Sequence, residues 1–259
     1  MDKIVTILVP FDFSPPSRRA LDYAVNYAGN REQMHIVLLY ATRKGAPAIA
    51  EDKFEEIRKG YGKLLRAKLT WEIGGDPLTA SILKAKRQNK ADLIIMGTSG
   101  ATSTDNHTHT SELVAQANCP VLVVPEEPRE FRVKNIALVL GRDEIDATED
   151  LGVLLDVARR FNARVHVLTI ENEPGTYGYS KSEEKNERLL DYYLESFYAD
   201  HIYIENKDVF AGISQYVAEK EIDMIAILPR NHSKKGQPSE GKLTEVLTLK
   251  SSTPVLAID

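Results

Sequence analysis

A stretch that follows an apolar run in the first half of the chain combines small and hydroxyl residues whose spacing could bind a phosphate. It runs from Ile94 to Val114 and reads IIMGTSGATSTDNHTHTSELV. Gly97 and Gly100 come directly after the apolar run, where small residues let backbone N–H groups approach phosphate oxygens. The stretch then ends in hydroxyl groups and a carboxylate, where such a loop would use further backbone amides. The sequence therefore indicates a phosphate loop that is retained only in part.

Composition limits the classes of protein to which the chain can belong. The 259 residues are 42% hydrophobic and 27% charged, which is typical of a soluble globular protein with one large domain or two of ordinary size. A net charge of -5 gives no electrostatic footprint for nucleic acid or for an anionic membrane surface. No apolar run approaches the ~20 residues of a membrane span, and the N-terminus does not read as a signal peptide. We therefore expect a cytoplasmic protein that binds neither nucleic acid nor membrane.

The single cysteine, Cys119, excludes an intramolecular disulfide. It stands at the entrance of an apolar run, where a buried, small hydrophobic residue is the expected role.

Short apolar runs alternate with helical patterns along the first half of the chain, and this order favours a parallel, doubly wound α/β sheet. Five strands are predicted there, in the regions Ile4–Pro10, His35–Tyr40, Leu69–Ile73, Asp92–Met96 and Pro120–Pro125. After a charged linker bracketed by Pro125 and Pro128 the same order starts again. ADLIIMG in the first half matches IDMIAIL in the second, and CPVLVVP matches TPVLAID. The chain is thus predicted to be an internal duplication with five-stranded domains at residues 1–128 and 129–259.

These residues resemble the universal stress protein family in its tandem form, with two such domains in one chain. The resemblance rests on ILVPFDFSPPSRRALDYA, GGDP, ADLIIMGTSG and CPVLVVP, taken in this order and spacing. It implies domains of the adenine nucleotide alpha hydrolase-like type, with a five-stranded parallel sheet flanked by helices. It also implies pairing through the last strand, as an internal pseudo-dimer or a homodimer, and in one branch of the family adenine-nucleotide binding.

The nucleotide-binding branch carries a Gly-x-x-Gly, nine residues, Gly-Ser/Thr pattern, which can be followed position by position in the first half. Gly97 and Gly100 match the first two glycines, Thr110 stands at the third, and Ser111 matches the hydroxyl residue. The resemblance further implies that Pro10 and Asp12 occupy the site positions at the end of the first strand, where the aspartate contacts the adenine or ribose. It implies that Ala41, after the second strand, presents an apolar backbone contact to the base. These seven residues are the predicted site for ATP or AMP.

Two residues of the loop count against a nucleotide. Thr110 adds a β-branched side chain where close backbone approach is expected, and Glu112 competes with a phosphate for the amides of the following helix. The loop also contains no lysine or arginine. In the second half Leu228 and Asn231 replace the two glycines, and Arg142 stands at the aspartate position, so that no nucleotide is expected there.

Three other groups of residues have alternative interpretations. His107 and His109 have the spacing of a metal pair, but a polar loop without a metal is the expected interpretation. Ser14 is better explained as a helix N-cap before Pro15 than as a hydrolytic nucleophile, because no Gly-x-Ser-x-Gly motif is present. Core packing is the expected role for some of four aromatic residues of the second half, with an apolar surface patch as the alternative: Tyr192, Tyr193, Phe197 and Tyr198.

Together these observations favour a regulatory protein of the stress response over a turnover enzyme. The first hypothesis is an ATP or AMP sensor, and the second is an interaction protein of the same fold that binds no nucleotide and acts through an unknown protein partner. Slow ATP hydrolysis is a third and weaker hypothesis, since no general base or arginine finger is evident.

Overall fold

A computed structural model describes residues 4–41, 51–98, 109–125, 130–140, 145, 148–171, 181–229 and 239–258 of the chain. The chain divides into two compact units, Met1–Glu126 and Glu127–Asp259. Each unit is an α/β layer structure built on a parallel sheet, and the predicted fold class and duplication are confirmed.

The sheet of the first unit has the strand order β3-β2-β1-β4-β5, and every neighbouring pair is parallel. Its strands are β1 (Thr6–Pro10), β2 (His35–Ala41), β3 (Lys68–Gly74), β4 (Leu93–Gly97) and β5 (Val121–Val124). Its helices are α1 (Pro15–Ala28), α2 (Glu51–Tyr61), α3 (Leu78–Asn89) and α4 (His109–Gln116), with a single 3-10 turn at Gly62–Leu64. The residues of β4 up to Met96 and all four of β5 are buried, as a sheet covered on both faces requires.

The second unit repeats this plan with the order β10-β9-β6-β7-β8, again all parallel. Its strands are β6 (Asn135–Leu140), β7 (Arg164–Glu171), β8 (Tyr198–Glu205), β9 (Met224–Ile227) and β10 (Val255–Ala257). Its helices are α5 (Thr148–Phe161), α6 (Lys181–Leu194), α7 (Val209–Glu219) and α8 (Ser239–Lys250), with a 3-10 turn at Glu195–Phe197. The region of α8 has no clear helical pattern in the sequence, which favours a long loop there, so that α8 was missed.

The ends of α1 follow the signals in the sequence. The Ser14 side chain accepts a hydrogen bond from the Ser17 backbone N–H, and Pro15 and Pro16 occupy the first two helical positions. Gly29 ends the helix with a φ of 57°, a left-handed value that glycine adopts without strain. The N-cap role predicted for Ser14 is confirmed.

An aspartate in front of the fourth strand of each unit explains the most similar pieces of the two halves. Oδ2 of Asp92 accepts hydrogen bonds from the Val5 and Thr6 N–H groups at 3.0 and 2.8 Å. Oδ2 of Asp223 accepts from Lys134 and Asn135 at 2.7 and 3.0 Å. In both units the carboxylate therefore fixes the start of the first strand beside the fourth, so that this repeated residue is structural.

Two smaller predictions concern the core and the membrane. Cys119 is buried, as expected for a small hydrophobic residue. Within the described residues, the structure contains no helix that is both long and apolar enough to span a membrane.

Candidate functional site

The strand order of the first unit reverses between β1 and β4, and the carboxyl ends of these two strands form the expected ligand crevice of an open α/β sheet. Pro10 is the last residue of β1, and Gly97 is the last residue of β4. Ala41 ends the neighbouring strand β2, and Asp12 follows β1 by two residues. Four of the predicted site residues thus share one edge of the sheet. Gly100 lies outside the described residues.

Asp12 is held in place by the first turn of α1. Its Oδ1 accepts a hydrogen bond from the Ser14 N–H at 2.9 Å, while its own N–H donates to the Ser17 Oγ at 3.3 Å. Burial disfavours the carboxylate, but hydrogen bonds from Ser14 and Ser17 outweigh burial and lower the pKa of Asp12. Asp12 is therefore an ionised acceptor at neutral pH, fixed at the mouth of the crevice.

Gly97 is required by packing. A Cβ added to it would lie 2.0 Å from the backbone oxygen of Pro16 and 2.5 Å from the Pro16 carbonyl carbon. No side chain fits there, since the opposing atoms belong to the backbone of α1. The first glycine of the motif is thus explained by the close approach of α1 to the end of β4, whether or not a phosphate binds.

The other end of the motif lies inside a helix. Helix α4 begins at His109, two residues earlier than the helical pattern indicates, so that Thr110 and Ser111 both lie in its first turn. Thr110 is 5% exposed and Ser111 is half-buried. The residue at the third glycine position therefore contributes a buried side chain to the packing of α4.

Glu112 has a partner in a neighbouring helix. Its Oε2 accepts a hydrogen bond from the Thr79 hydroxyl at 3.0 Å, and Thr79 is buried in the first turn of α3. The carboxylate that was expected to compete with a phosphate thus links α4 to α3.

An aromatic cluster that the sequence patterns missed lies beside Asp12. The Phe13 ring has its centroid 4.9 Å from that of Phe11, 5.2 Å from that of Phe54 and 5.9 Å from that of Tyr40. Phe54, from α2, stacks on Trp71 of β3 at 5.1 Å. Hydrophobicity alone could have pointed to these side chains, but the cluster draws on separate parts of the chain and therefore leaves no local spacing signal.

Phe13 itself has a φ of 66°, in the left-handed region that residues other than glycine rarely adopt. Two cations approach its ring, the guanidinium of Arg18 and the ammonium of Lys53, each 5.9 Å from the centroid. The Arg18 Nε also donates to the Phe13 carbonyl at 3.1 Å. Positive charge, which the loop sequence lacks, is thus present around Phe13, the residue that follows Asp12.

In the second unit the corresponding crevice has different residues. Leu228, which stands where the first unit has Gly97, follows β9 directly and is 2% exposed. A buried leucine takes the place where a phosphate loop would begin. Arg142 and Asn231 lie outside the described residues.

The remaining groups from the sequence have mixed outcomes. Tyr192 is 78% exposed and Tyr193, Phe197 and Tyr198 are half-buried, so core packing does not account for Tyr192. No group of three His, Cys, Asp or Glu residues converges as a metal site within the part of the chain that the structure describes. His107 lies outside that part.

Residues 4–125, which span β1 to β5, match the model of the universal stress protein family. The first domain belongs to this family. No curated protein matches the chain.

Solved structures extend the likeness in fold to both domains. A universal stress protein from Archaeoglobus fulgidus is 15% identical with a TM-score of 0.69, and the match covers 100% of this chain and 99% of that one. A functionally unknown protein from Pseudomonas aeruginosa is 17% identical with a TM-score of 0.63, covering 98% and 92%. The cytoplasmic domain of a prokaryotic cation chloride cotransporter is 11% identical with a TM-score of 0.59, covering 99% and 96%. At these identities the likeness shows the fold.

Proposed function

We propose that this protein is a regulatory binding protein of the stress response whose first domain binds an adenine nucleotide, ATP or AMP, without turning it over. The observation that carries the proposal is the meeting of Asp12, Ala41 and Gly97 at the carboxyl ends of β1, β2 and β4, where the strand order reverses. Pro10, Gly100, Thr110 and Ser111 complete the proposed site. Membership of the first domain in the universal stress protein family supports this assignment.

The test is direct. We expect nucleotide to be released on extraction of the purified full chain, and calorimetry to detect heat when ATP or AMP is added, with cyclic AMP as a comparison. Gly100→Val should abolish this heat, while Asn231→Val in the second domain should leave it unchanged. No extracted nucleotide and no heat at millimolar ligand would overturn the proposal.

A second function, an interaction protein that binds no nucleotide, is favoured by two contacts. Gly97 is retained for its approach to Pro16, and Glu112 is engaged by Thr79, so that both have roles without a ligand. Thr110→Gly separates the two functions. If the buried Thr110 side chain only narrows a nucleotide site, the substitution should raise nucleotide affinity. If the protein binds no nucleotide, the substitution should lower stability and leave nucleotide binding absent.

A separate measurement tests whether the protein hydrolyses bound ATP. Incubated with magnesium, bound ATP should remain intact over hours. Steady release of phosphate, lost in Gly100→Val, would show hydrolysis at this site instead.

A further inference from the structure

The strands β3 and β8 each lie at the edge of their own sheet that is opposite its last strand. Among the strands that the structure describes, β3 pairs only with β2, and β8 pairs only with β7. A strand with a neighbour on one side presents backbone N–H and C=O groups that can pair with another chain. Each unit therefore has an edge at which a further molecule can be added.

Large apolar side chains are exposed at both of these edges. Within the described residues, the large hydrophobic side chains that are exposed are Leu64, Ile73 and Tyr192. Leu64 lies in the 3-10 turn before β3, Ile73 lies in β3 itself, and Tyr192 lies in α6, which leads through the second 3-10 turn to β8. Exposed apolar side chains that gather at an edge strand are typical of an association surface.

The edge of the first unit is positively charged. Residues 62–70 run from the 3-10 turn into β3 and contain Lys63, Arg66 and Lys68 but no acidic residue. The side chains of all three are exposed, and none forms an ion pair with a residue that the structure describes. We call the surface made by these three cations and Leu64 the basic edge.

The edge of the second unit has the opposite charge. Residues 191–200 run from the end of α6 through the 3-10 turn into β8, and they contain three acidic residues but no lysine or arginine. Glu195 is matched by Arg159 at 2.8 Å, whereas Asp191 is exposed without an ion pair in the described part of the chain. The corresponding stretches of the two units thus differ in the sign of their charge.

The carboxylates of the second unit gather around one tyrosine. Burial raises the pKa of Tyr198 to about 12, and the charges of Glu187, Asp191 and Asp200 add to this effect. Asp200 also lies 2.7 Å from Nδ1 of His166. We call this surface the acidic edge, and it comprises Glu187, Asp191, Tyr192, Tyr198 and Asp200.

The two signs determine which edges can meet. Like charges oppose the pairing of two basic edges or of two acidic edges, and they protect each edge against its own kind. A basic edge placed against an acidic edge instead brings opposite charges together and covers exposed apolar side chains on both surfaces. The occupant that fits each edge is therefore a second copy of this chain.

We propose that copies of this chain associate head to tail, with the basic edge of one copy against the acidic edge of the next. Such a contact joins two different surfaces, so every added copy leaves one edge of each kind free, and assembly continues or closes into a ring. Because charge selects the contact, the association weakens as salt screens it. The proposal concerns the β3 and β8 edges and does not depend on the nucleotide site.

The first experiment measures the mass of the full chain by sedimentation over a wide range of concentration. It compares about 0.01 M with about 1 M salt, where the Debye length is about 30 Å and about 3 Å. At low salt the mass should rise with concentration to at least about twice the value at high salt, because the smallest head-to-tail assembly contains two copies. A mass that is independent of concentration at low salt, or that does not fall at high salt, would overturn the proposal.

Exchanging the charges of the edges tests which surfaces meet. Arg66→Glu/Lys68→Glu makes both edges acidic, and Glu187→Lys/Asp191→Lys makes both edges basic. Each double variant should lose association at low salt when alone. An equal mixture of the two should regain it, since the reversed edge of each variant then matches an edge of the other.

The matched control reverses two exposed cations of α3 that lie outside the basic edge. Lys84→Glu/Arg87→Glu changes the net charge by the same amount as the basic-edge variant and should associate as the wild type does. All three double variants should melt near the wild-type temperature, because they alter surface side chains. Association of either edge variant alone, or a mixture that stays dissociated, would overturn the head-to-tail contact.

Discussion

Gly97 illustrates how a motif residue can be kept for a reason other than its motif. We expect Gly97→Ala to lower the free energy of unfolding by about 3 kcal/mol, because the new Cβ would lie 2.0 Å from a backbone oxygen of α1 that no side-chain rotation can move. Urea unfolding with and without nucleotide measures this cost. The loss of stability should appear both with and without nucleotide.

Gly60 provides the matched control for this substitution. An added Cβ there meets no atom within 4 Å, and Gly60 lies inside α2, where alanine is favoured by up to about 1 kcal/mol. Gly60→Ala should therefore hold or raise stability. Equal stabilities for Gly97→Ala and Gly60→Ala would contradict the packing explanation.

The ionisation of Asp12 leads to a prediction about stability at low pH. Its pKa is lowered from the usual 3.8 in the folded state, so ionised Asp12 stabilises the fold above that pH, and this contribution is lost as the pH falls through the folded-state pKa. Asp12→Asn should therefore be less stable than wild type near neutral pH, and the difference should shrink below the usual aspartate pKa. Urea unfolding along a pH series measures the difference. A constant difference at all pH values would show that the charge of Asp12 has no role.

At the scale of elements, α2 depends on one side chain. Phe54 is the buried residue of this helix, which the structure describes throughout, and it contacts rings from β2, β3 and the turn after β1. Phe54→Ala should cost about 3 to 5 kcal/mol.

Unfolding in urea, followed by circular dichroism, measures this loss. Tyr192→Ala is the control, because Tyr192 is an aromatic residue of α6 that remains largely exposed, and it should change stability by less than about 0.5 kcal/mol. A small effect of Phe54→Ala would mean that α2 is held by other contacts.

The elements that the sequence predicted well are those with strong local signals. Apolar runs predicted the ten strands of the described residues to within a few residues, because the inner strands are buried on both faces and consist of such runs. Helix α8 was missed because it follows a polar stretch of sequence and mixes charged, hydroxyl and apolar residues without a clear apolar stripe. The start of α4 was placed late because His109 and Thr110 read as a continuation of the polar loop.

The candidate site was predictable only in part, for a related reason. Spacing located Asp12 and Gly97 at the strand ends, since these positions depend on the order of the strands. It could not reveal that Phe13, Phe54 and Trp71 come together, because this contact depends on packing between elements.

At the scale of the whole molecule, each unit has its last strand at one edge of its own sheet, β5 in the first and β10 in the second. Both strands are apolar, and an apolar edge left unprotected favours association with another chain. The expectation that the two edges protect each other in an internal pseudo-dimer remains a prediction. We expect residues 1–128, produced alone, to form a homodimer.

Light scattering coupled to size exclusion measures the mass of this fragment beside that of the full chain. A monomeric fragment 1–128 at micromolar concentration would contradict the edge argument. If fragment 129–259 also forms a homodimer, the edge argument is supported for both domains.

The stacking of Trp71 on Phe54 has a consequence for observing the molecule. Trp71 is the one tryptophan in the sequence, and it lies in the first domain with its ring 5° from parallel to that of Phe54. Indole emission therefore reports on one domain, whereas tyrosines are present in both. Followed by emission and by a signal from the whole backbone, a denaturant series will show one shared transition when the domains unfold together and two separate ones when they do not. The chain thus carries its own optical label for distinguishing its two halves.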